Sequence, residues 1–354
     1  MKMLEETLKN IRQPDDAAMK SALERQNQLT KPRGSLGVLE SLSIQIAGIH
    51  RKPLPAIKNR LIITMAADHG VAAEKVSLYP QEVTRQMVLN FVNGGAAINV
   101  LGRLIDARLL VVDMGVKGGF PPTDGLVCKM IDFGTANFFN GPAMTRTQAI
   151  DCLQSGIEVL NSEFEKGLDI VAVGEMGIGN STSASAVVSA ITGRSPQFVT
   201  GKGTGIDDEQ LHHKISVIQH ALMINKPDKN DAIDVLSKVG GFEIGGMAGV
   251  MLAAAARSIP VVLDGFISGA AALIAYTLNP QVKDYLIASH LSTEHGHRVC
   301  LDHIGLQPLI DLNLRLGEGT GAALGIFICQ AAVDLLAQMA TFTQAGVSDI
   351  EHRK

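Results

Sequence analysis

Six short apolar runs in this sequence each end in a small or polar turn, and most of them precede a stretch that favours helix. The runs span residues 61–66, 109–112, 129–131, 169–173, 260–263 and 285–288. The predicted helices follow at 82–105, 145–165, 182–192, 266–277 and 293–303. Repeated strand, turn and helix is typical of right-handed βαβ units, whose strands lie side by side in a parallel sheet. The pattern therefore predicts an α/β fold.

The two ends of the chain favour helix without alternating strands. Residues 3–50 carry apolar side chains three and four positions apart, and 318–343 repeats small and apolar residues along one stripe. We predict that 1–50 and 305–354 together form a small helical domain, and that 51–304 form the sheet-containing domain. Ligands of open parallel sheets bind beyond the carboxyl ends of the strands, so the strand-end turns mark the predicted functional edge.

Charge and composition argue against several classes of partner. The net charge is −4, from 31 basic and 35 acidic residues, and no basic cluster with interleaved aromatic residues favours nucleic acid or an anionic membrane. The first ten residues have no apolar core of the kind a signal peptide needs, and apolar runs such as 247–256 are too short to cross a bilayer. The four cysteines show no metal-type spacing, so we expect free thiols and a cytoplasmic location.

Two glycine-framed turns each carry one glutamate before a predicted helix. The first spans 174–182 and contains Glu175, followed by Gly177, Gly179 and Ser181. Glycines expose backbone amides, and amides at a helix start attract anions, so this turn can cradle a phosphate. A capped helix after a strand accounts for the same residues, and both interpretations stay open here.

The second turn spans 315–321 and places Glu318 between Gly317 and Gly319. A helix that begins near residue 320 would lower the pKa of this carboxyl, whereas burial would raise it. A base that takes a proton from a weakly acidic nitrogen needs burial to dominate. A helix-initiating glutamate is the alternative interpretation.

Other polar groups give weaker signals. The loop 201–205 is rich in glycine and precedes Lys214 on a predicted helix, where a lysine could neutralise a phosphate. Asp68 and His69 follow the first apolar run. They could act together as a general base, form half of a metal site, or simply cap the strand end. The ten histidines show no HxxxH or HExxH spacing, so we do not predict a metal centre.

Taken together, the motifs closely resemble the nicotinate-nucleotide–dimethylbenzimidazole phosphoribosyltransferase family over essentially residues 1–345. The resemblance rests on Lys-Pro-Arg-Gly-Ser-Leu-Gly at 31–37, Ala-Asp-His-Gly-Val at 67–71, Tyr-Pro-Gln-Glu-Val-Thr at 79–84, Gly-Pro-Ala-Met-Thr-Arg at 141–146, Gly-Glu-Met-Gly-Ile-Gly-Asn-Ser-Thr at 174–182, Asp-Val-Leu-Ser-Lys-Val-Gly-Gly-Phe at 234–242, Leu-Asp-Gly-Phe at 263–266 and Arg-Leu-Gly-Glu-Gly-Thr-Gly-Ala-Ala-Leu at 315–324.

The resemblance implies a Rossmann-like, doubly wound parallel sheet with a small helical domain built from both termini, in a homodimer. It also implies that phosphoribose passes from nicotinate mononucleotide to a benzimidazole, which gives α-ribazole 5′-phosphate for the lower ligand of cobalamin and releases nicotinate. The anomeric configuration inverts. No metal or other cofactor is implied, because nicotinate leaves from a positively charged nitrogen.

The resemblance also assigns roles to residues. Glu318 would accept the benzimidazole proton, and a second group would hold the ribose and phosphate: Glu175, Met176, Gly177, Gly179, Asn180, Ser181, Gly203, Lys214 and Arg315. The flat base would lie against Tyr79, Gln86, Met87 and Leu316, together with Met176. Some relatives have serine where Tyr79 stands and glutamine where Met87 stands, so dimethylbenzimidazole, benzimidazole, a purine or a phenol are all candidate acceptors.

Two other functions remain as alternatives at this point. A phosphohydrolase would use Asp68, His69 and a divalent metal, and would release inorganic phosphate. A non-catalytic nucleotide sensor would keep the phosphate cradle and would not need Glu318.

Overall fold

The computed structural model describes residues 1–348. Its centre is a six-stranded, all-parallel sheet with the order β3-β2-β1-β4-β5-β6. The strands are β1 Arg60–Ala67, β2 Arg108–Gly115, β3 Leu126–Cys128, β4 Ile170–Met176, β5 Val261–Leu263 and β6 Leu286–Ala288. The strand order reverses between β1 and β4, so the crevice of a doubly wound fold lies at the carboxyl ends of these two strands.

Helices cover both faces of the sheet within the described part of the chain. They are α1 Lys2–Asn10, α2 Asp16–Gln28, α3 Val38–His50, α4 Glu82–Val92, α5 Ala97–Leu104, α6 Arg146–Phe164, α7 Asn180–Thr192, α8 Pro196–Val199, α9 Asp208–Asn225, α10 Ala232–Val239, α11 Phe242–Ala256, α12 Phe266–Leu278, α13 His295–Ile304, α14 Thr320–Gln338 and α15 Phe342–Ala345, with 3-10 turns at Gly70–Glu74 and Pro280–Tyr285. This arrangement confirms the predicted α/β fold class.

Strand β1 shows how the sequence builds two cores. Leu61, Ile63 and Met65 point to one face and pack with α6, α7, α10, α11 and α12, whereas Ile62 and Ala66 point to the other and pack with α3, α4, α5 and α14. Successive side chains of a strand alternate between faces, so a central strand that is apolar throughout must be covered on both.

The helices from the two chain ends pack together, with α3 against both α2 and α14. Helix α14 also packs directly on β4 and β5. The division into domains 51–304 and 1–50 plus 305–354 stays a prediction, and its last six residues, 349–354, lie outside the described residues.

Three details differ from the sequence-based expectations. The predicted helix 82–105 is two helices, α4 and α5, because Gly94 and Gly95 interrupt it. The third strand is 126–128, just before the predicted run 129–131. Helix α14 is, by composition, apolar enough to cross a membrane, but 56% of its apolar window is buried inside the protein, as in a core helix.

Candidate functional site

The first glycine turn lies at the point where the strand order reverses. Helix α7 begins directly after Gly179, and that residue provides no side-chain cap for the first amides of the helix. The Ile178 amide donates to Thr84 Oγ1 at 3.1 Å, which fixes the turn from the side of α4. An uncapped helix start held in place by a neighbouring helix is suited to bind an anion.

A buried lysine lies beside this helix start. Lys214 is 1% exposed, and its Nζ donates to Ser181 Oγ at 2.9 Å. Burial lowers the pKa of Lys214 to about 8, against the opposing attraction of Glu294. Buried cations are retained where an anion can compensate them, so the pair Ser181 and Lys214 favours a phosphate as the ligand.

The glycine loop 201–205 joins the same region. The Gly203 amide donates to Glu294 Oε1 at 2.9 Å, and Arg315 donates to the Gly203 carbonyl at 2.8 Å. The structure therefore brings Gly203, Lys214 and Arg315 together around the start of α7. Sequence reasoning missed Glu294, which is 8% exposed and fixes the loop.

Glu175 lies near the end of β4 and is 7% exposed. The Asn180 side-chain amide donates to its carboxylate. Burial, together with the nearby carboxylates of Asp264 and Glu243, raises the pKa of Glu175 to about 8. This carboxyl group consequently holds its proton near neutral pH and can donate a hydrogen bond to a sugar oxygen.

Glu318 adopts a left-handed backbone conformation with φ of 66°, between two glycines that are also left-handed. Its carbonyl accepts a hydrogen bond from Thr64 Oγ1 at 2.8 Å, and its Oε2 accepts one from the Ile98 amide at 3.3 Å. Burial raises the pKa of the Glu318 carboxyl, and the Ile98 amide opposes that rise. Burial thus prevails over the hydrogen bond from Ile98, in the direction that a base for a weak nitrogen acid requires.

Asp264, at the end of β5, fixes the turn that carries Glu318. Its carboxylate accepts hydrogen bonds from the amides of Gly319 at 3.0 Å, Gly321 at 2.7 Å and Ala322 at 3.1 Å. Burial raises the pKa of Asp264 to about 7, although these three amides lower it. Its strand-end position was visible in the sequence, but the sequence did not show that Asp264 caps the predicted helix that begins near residue 320.

The two glutamate turns touch each other through glycines. A Cβ atom on Gly174 would lie 2.2 Å from the Glu318 carbonyl oxygen, and one on Gly317 would lie 2.2 Å from Glu175 Oε1. Any side chain at these positions would push the turns apart. The glycines therefore allow Glu175 and Glu318 to share one small site.

The residues predicted to contact the base differ in exposure. Tyr79 and Leu316 are 55% and 59% exposed, and Gln86 is also exposed. Met87 and Met176 are half-buried against the apolar cluster on the α4 side of the sheet. The Leu78 amide donates to Thr204 Oγ1 at 3.2 Å, which holds the loop of Tyr79 beside the loop of Gly203.

Asp68 and His69 lie beneath the first turn. They are 1% and 0% exposed, and His69 Nε2 lies 2.8 Å from Glu243 Oε1. The Lys117 amide donates to Asp68 Oδ2 at 2.8 Å. Across residues 1–348, no three His, Cys, Asp or Glu side chains are grouped as a metal ion requires. Asp68 and His69 therefore support the turn from within the protein core.

Comparisons with known proteins agree with one another. A phosphoribosyltransferase family model, DBI_PRT, matches residues 11–347. A nicotinate-nucleotide–dimethylbenzimidazole phosphoribosyltransferase from a Roseiflexus species is 58% identical over 98% of this chain and 99% of that protein. One of the same name from Desulforudis audaxviator is 54% identical over 99% of this chain and all of that protein. A crystal structure of CobT from Thermus thermophilus matches with a TM-score of 0.91 and 44% identity, over 94% of this chain and 99% of that chain.

Proposed function

We propose a reaction and a division of roles for this chain, which belongs to the nicotinate-nucleotide–dimethylbenzimidazole phosphoribosyltransferase family. The enzyme transfers the phosphoribosyl group of nicotinate mononucleotide to 5,6-dimethylbenzimidazole. The products are nicotinate and α-ribazole 5′-phosphate, the nucleotide of the cobalamin lower ligand.

In this reaction one nitrogen of the benzimidazole forms a bond to the anomeric carbon while the bond from that carbon to nicotinate breaks. The electron pair of the broken bond neutralises the pyridinium nitrogen, so nicotinate needs no proton to leave. The other benzimidazole nitrogen loses its proton to the Glu318 carboxylate. Attack opposite the leaving group inverts the configuration at the anomeric carbon, which requires no glycosyl-enzyme intermediate.

The start of α7 holds the 5′-phosphate in this proposal. The amides of Gly179 and Ser181, the Ser181 hydroxyl and the buried Lys214 are the donors that a phosphomonoester prefers. Arg315 adds a second cation through its contact with the 201–205 loop. Glu175, which keeps its proton near pH 7, donates to a ribose oxygen.

One observation supports the whole assignment: a buried carboxylate with a raised pKa lies on a turn that directly touches the turn leading to the anion cradle. With the phosphate held on one turn, the base on the adjoining turn can act on an acceptor at the anomeric carbon of the same ribose. Neither feature alone would distinguish a transferase from a nucleotide-binding protein.

The decisive experiment incubates the purified enzyme with nicotinate mononucleotide and separates the products by chromatography. Nicotinate should appear only when dimethylbenzimidazole or a related azole is supplied, in equal amount with the ribazole phosphate. Nicotinate release without a base, or release of inorganic phosphate, would contradict the proposal. A panel of benzimidazole, a purine and a phenol would rank acceptors, and Tyr79→Ser and Met87→Gln should alter that ranking.

Two broader properties are also proposed. The enzyme acts as a homodimer, supported by exposed apolar side chains of Leu78, Tyr79, Leu312 and Leu316 near the site. It works in the cytoplasm, which is compatible with four cysteines that are all free thiols. Light scattering after size-exclusion chromatography should give twice the mass of one chain, and a single-chain mass would contradict the dimer.

A further inference from the structure

A polar cavity of about 440 Å³ lies at the opposite edge of the sheet from the proposed active site. Its lining includes three arginines, Arg12, Arg51 and Arg257, and a single acidic residue, Glu6. Arg257 follows α11 and precedes β5, whose far end carries Asp264. The cavity is therefore separated from the base and the phosphate cradle by the length of the strands.

Two of the guanidinium groups are held mainly by neutral partners. Arg257 Nε donates to Asn161 Oδ1 at 3.1 Å, and its guanidinium lies 5.0 Å from the centre of the Phe164 ring. Arg51 donates to the Gln13 carbonyl at 2.8 Å, and the Asp15 carboxylate is 3.9 Å away. Both groups are oriented, yet most of their charge is not neutralised by a close carboxylate.

A buried tyrosine, Tyr285, contacts several residues that line the cavity. The Tyr285 hydroxyl donates to the Arg12 carbonyl at 2.6 Å. Burial raises the pKa of Tyr285, and hydrogen bonding with Ser258 and Arg51 opposes that rise. One hydroxyl thus ties Arg12, Arg51 and Ser258 into the same corner. Among residues 1–348, the Arg12 side chain has no hydrogen-bond or ion-pair partner.

Two other arginines of the chain, in contrast, form close ion pairs with a carboxylate. Arg108 lies 2.6 Å from Glu163, Arg146 lies 2.8 Å from Asp231, and both pairs are close ion pairs. The cavity instead combines three cations with one carboxylate in its lining, a net charge of +2 (three minus one), which falls to +1 when the Asp15 carboxylate beside Arg51 is counted. Mutual repulsion of these cations is relieved when an anion binds between them.

We propose that this cavity binds a compact phosphate-type oxyanion, such as inorganic pyrophosphate or the phosphate of a small ester. Planar guanidinium groups bind phosphate oxygens in pairs, and their fixed partners lower the entropy lost on binding. This site is distinct from phosphoribosyl transfer, and it does not depend on the assignment of Glu318 or Lys214.

Calorimetric titration of the enzyme with inorganic pyrophosphate, at an ionic strength held constant with potassium chloride, tests the proposal. The double variant Arg12→Gln/Arg257→Gln should weaken one binding site about tenfold or more and leave transferase activity without pyrophosphate unchanged. Lys214→Met should leave the arginine site intact, because Lys214 does not line the cavity. Any pyrophosphate binding that this variant loses is binding at the active-site cradle.

Arg103→Gln is the matched control, since Arg103 is another surface arginine bonded to a carbonyl, that of Gly94 at 3.1 Å. If the double variant binds pyrophosphate as the wild type does, or loses no more affinity than Arg103→Gln, the arginine site does not exist. The arginine-dependent site should be measurable even if the cradle fails to bind pyrophosphate, so the two assignments fail separately.

Discussion

The two glycine turns look alike in sequence but use their helix starts differently. Before α7, the turn leaves the first helical amides without a side-chain cap, and Lys214 lies beside them. Before α14, the carboxylate of Asp264 occupies three amides, those of Gly319, Gly321 and Ala322. One helix start is kept available for a ligand, and the other is closed by the protein itself.

This difference shows how similar motifs serve different roles. A helix start without a side-chain cap and a buried cation provide affinity for an anion, whereas a turn whose amides are held by a carboxylate provides a rigid mount for a side chain. The position of Glu318 is fixed because the Asp264 carboxylate holds the amides that follow it in the chain. The same amides are then not available to a phosphate. We therefore expect damage to the α14 turn to reduce turnover, and damage to the α7 turn to reduce nucleotide affinity.

The largest effect is expected from Glu318→Gln. Removal of the proton acceptor should lower kcat by about two to four orders of magnitude, while nicotinate mononucleotide binds with nearly unchanged affinity. Steady-state kinetics and calorimetry together measure this split. In the wild type, kcat should also fall as pH drops through the raised pKa of Glu318, because the base becomes protonated. Retention of most activity by the variant would contradict the assigned base.

A smaller loss of turnover is expected from Asp264→Asn. The amide presents an N–H₂ group toward backbone donors, so the α14 turn should loosen and kcat should fall about 10- to 100-fold. The free energy of unfolding should decrease by about 1–2 kcal/mol, as for a lost helix cap. Denaturant titration measures the second effect. An increase in KM for the nucleotide with unchanged kcat would contradict the comparison, because it would show that the α14 turn contributes to nucleotide affinity rather than to turnover.

For the α7 turn, Lys214→Met should raise the KM for nicotinate mononucleotide about tenfold or more with a modest change in kcat. The phosphate of the nucleotide then loses its buried cation, but Glu318 is still in place to accept the proton. Ser181→Ala is the milder companion, because it removes only the hydroxyl that contacts Lys214. The wild type should prefer the phosphorylated donor strongly over the corresponding riboside, and the lysine variant should show much less preference.

A separate prediction concerns stability and its dependence on pH. The pKa of Glu175 is raised from 4.5 to about 8, and that of Asp264 from 3.8 to about 7, so the folded state holds protons that the unfolded state releases. Their contribution to stability is complete below about pH 4 and is lost as pH rises through 7 and 8. The slope is at most about 1.4 kcal/mol per pH unit for each proton.

Glu175→Gln should therefore flatten the fall in unfolding free energy between pH 5 and pH 9, and Glu24→Gln, at an exposed carboxyl of α2, is its control. Denaturant titrations at several pH values make the comparison. A variant with the same slope as the wild type would show that Glu175 ionises normally in the folded protein.

The sequence predicted the strands β1, β2, β4, β5 and β6 closely, because short apolar runs that end in a small or polar turn are typical of buried parallel strands. It misplaced β3, since Leu126–Cys128 is a short edge strand whose limits depend on pairing with β2. It joined α4 to α5 because each half is amphipathic, and the break at Gly94 depends on how the chain turns there.

The site was predictable to a different degree. Glu175 and Glu318 stood out because they lie next to glycines, Ser181 because it closely follows Gly177 and Gly179, and Lys214 stood out weakly. Asp264 and Glu294 could not be assigned roles, because each acts on a segment that is distant in sequence: the amides of 319–322 and the amide of Gly203. Local patterns carry no information about such pairs.

The order of apolar runs and turns determined the parallel sheet, and the glycines determined where a backbone could approach a ligand, since both follow from local sterics and hydrophobic periodicity. Only the tertiary structure decided which carboxylates are desolvated, which helix start is closed by Asp264, and that three arginines share a cavity. Those properties arise from the dielectric environment and from contacts across the chain, which exist only once the sheet has brought its strand ends together.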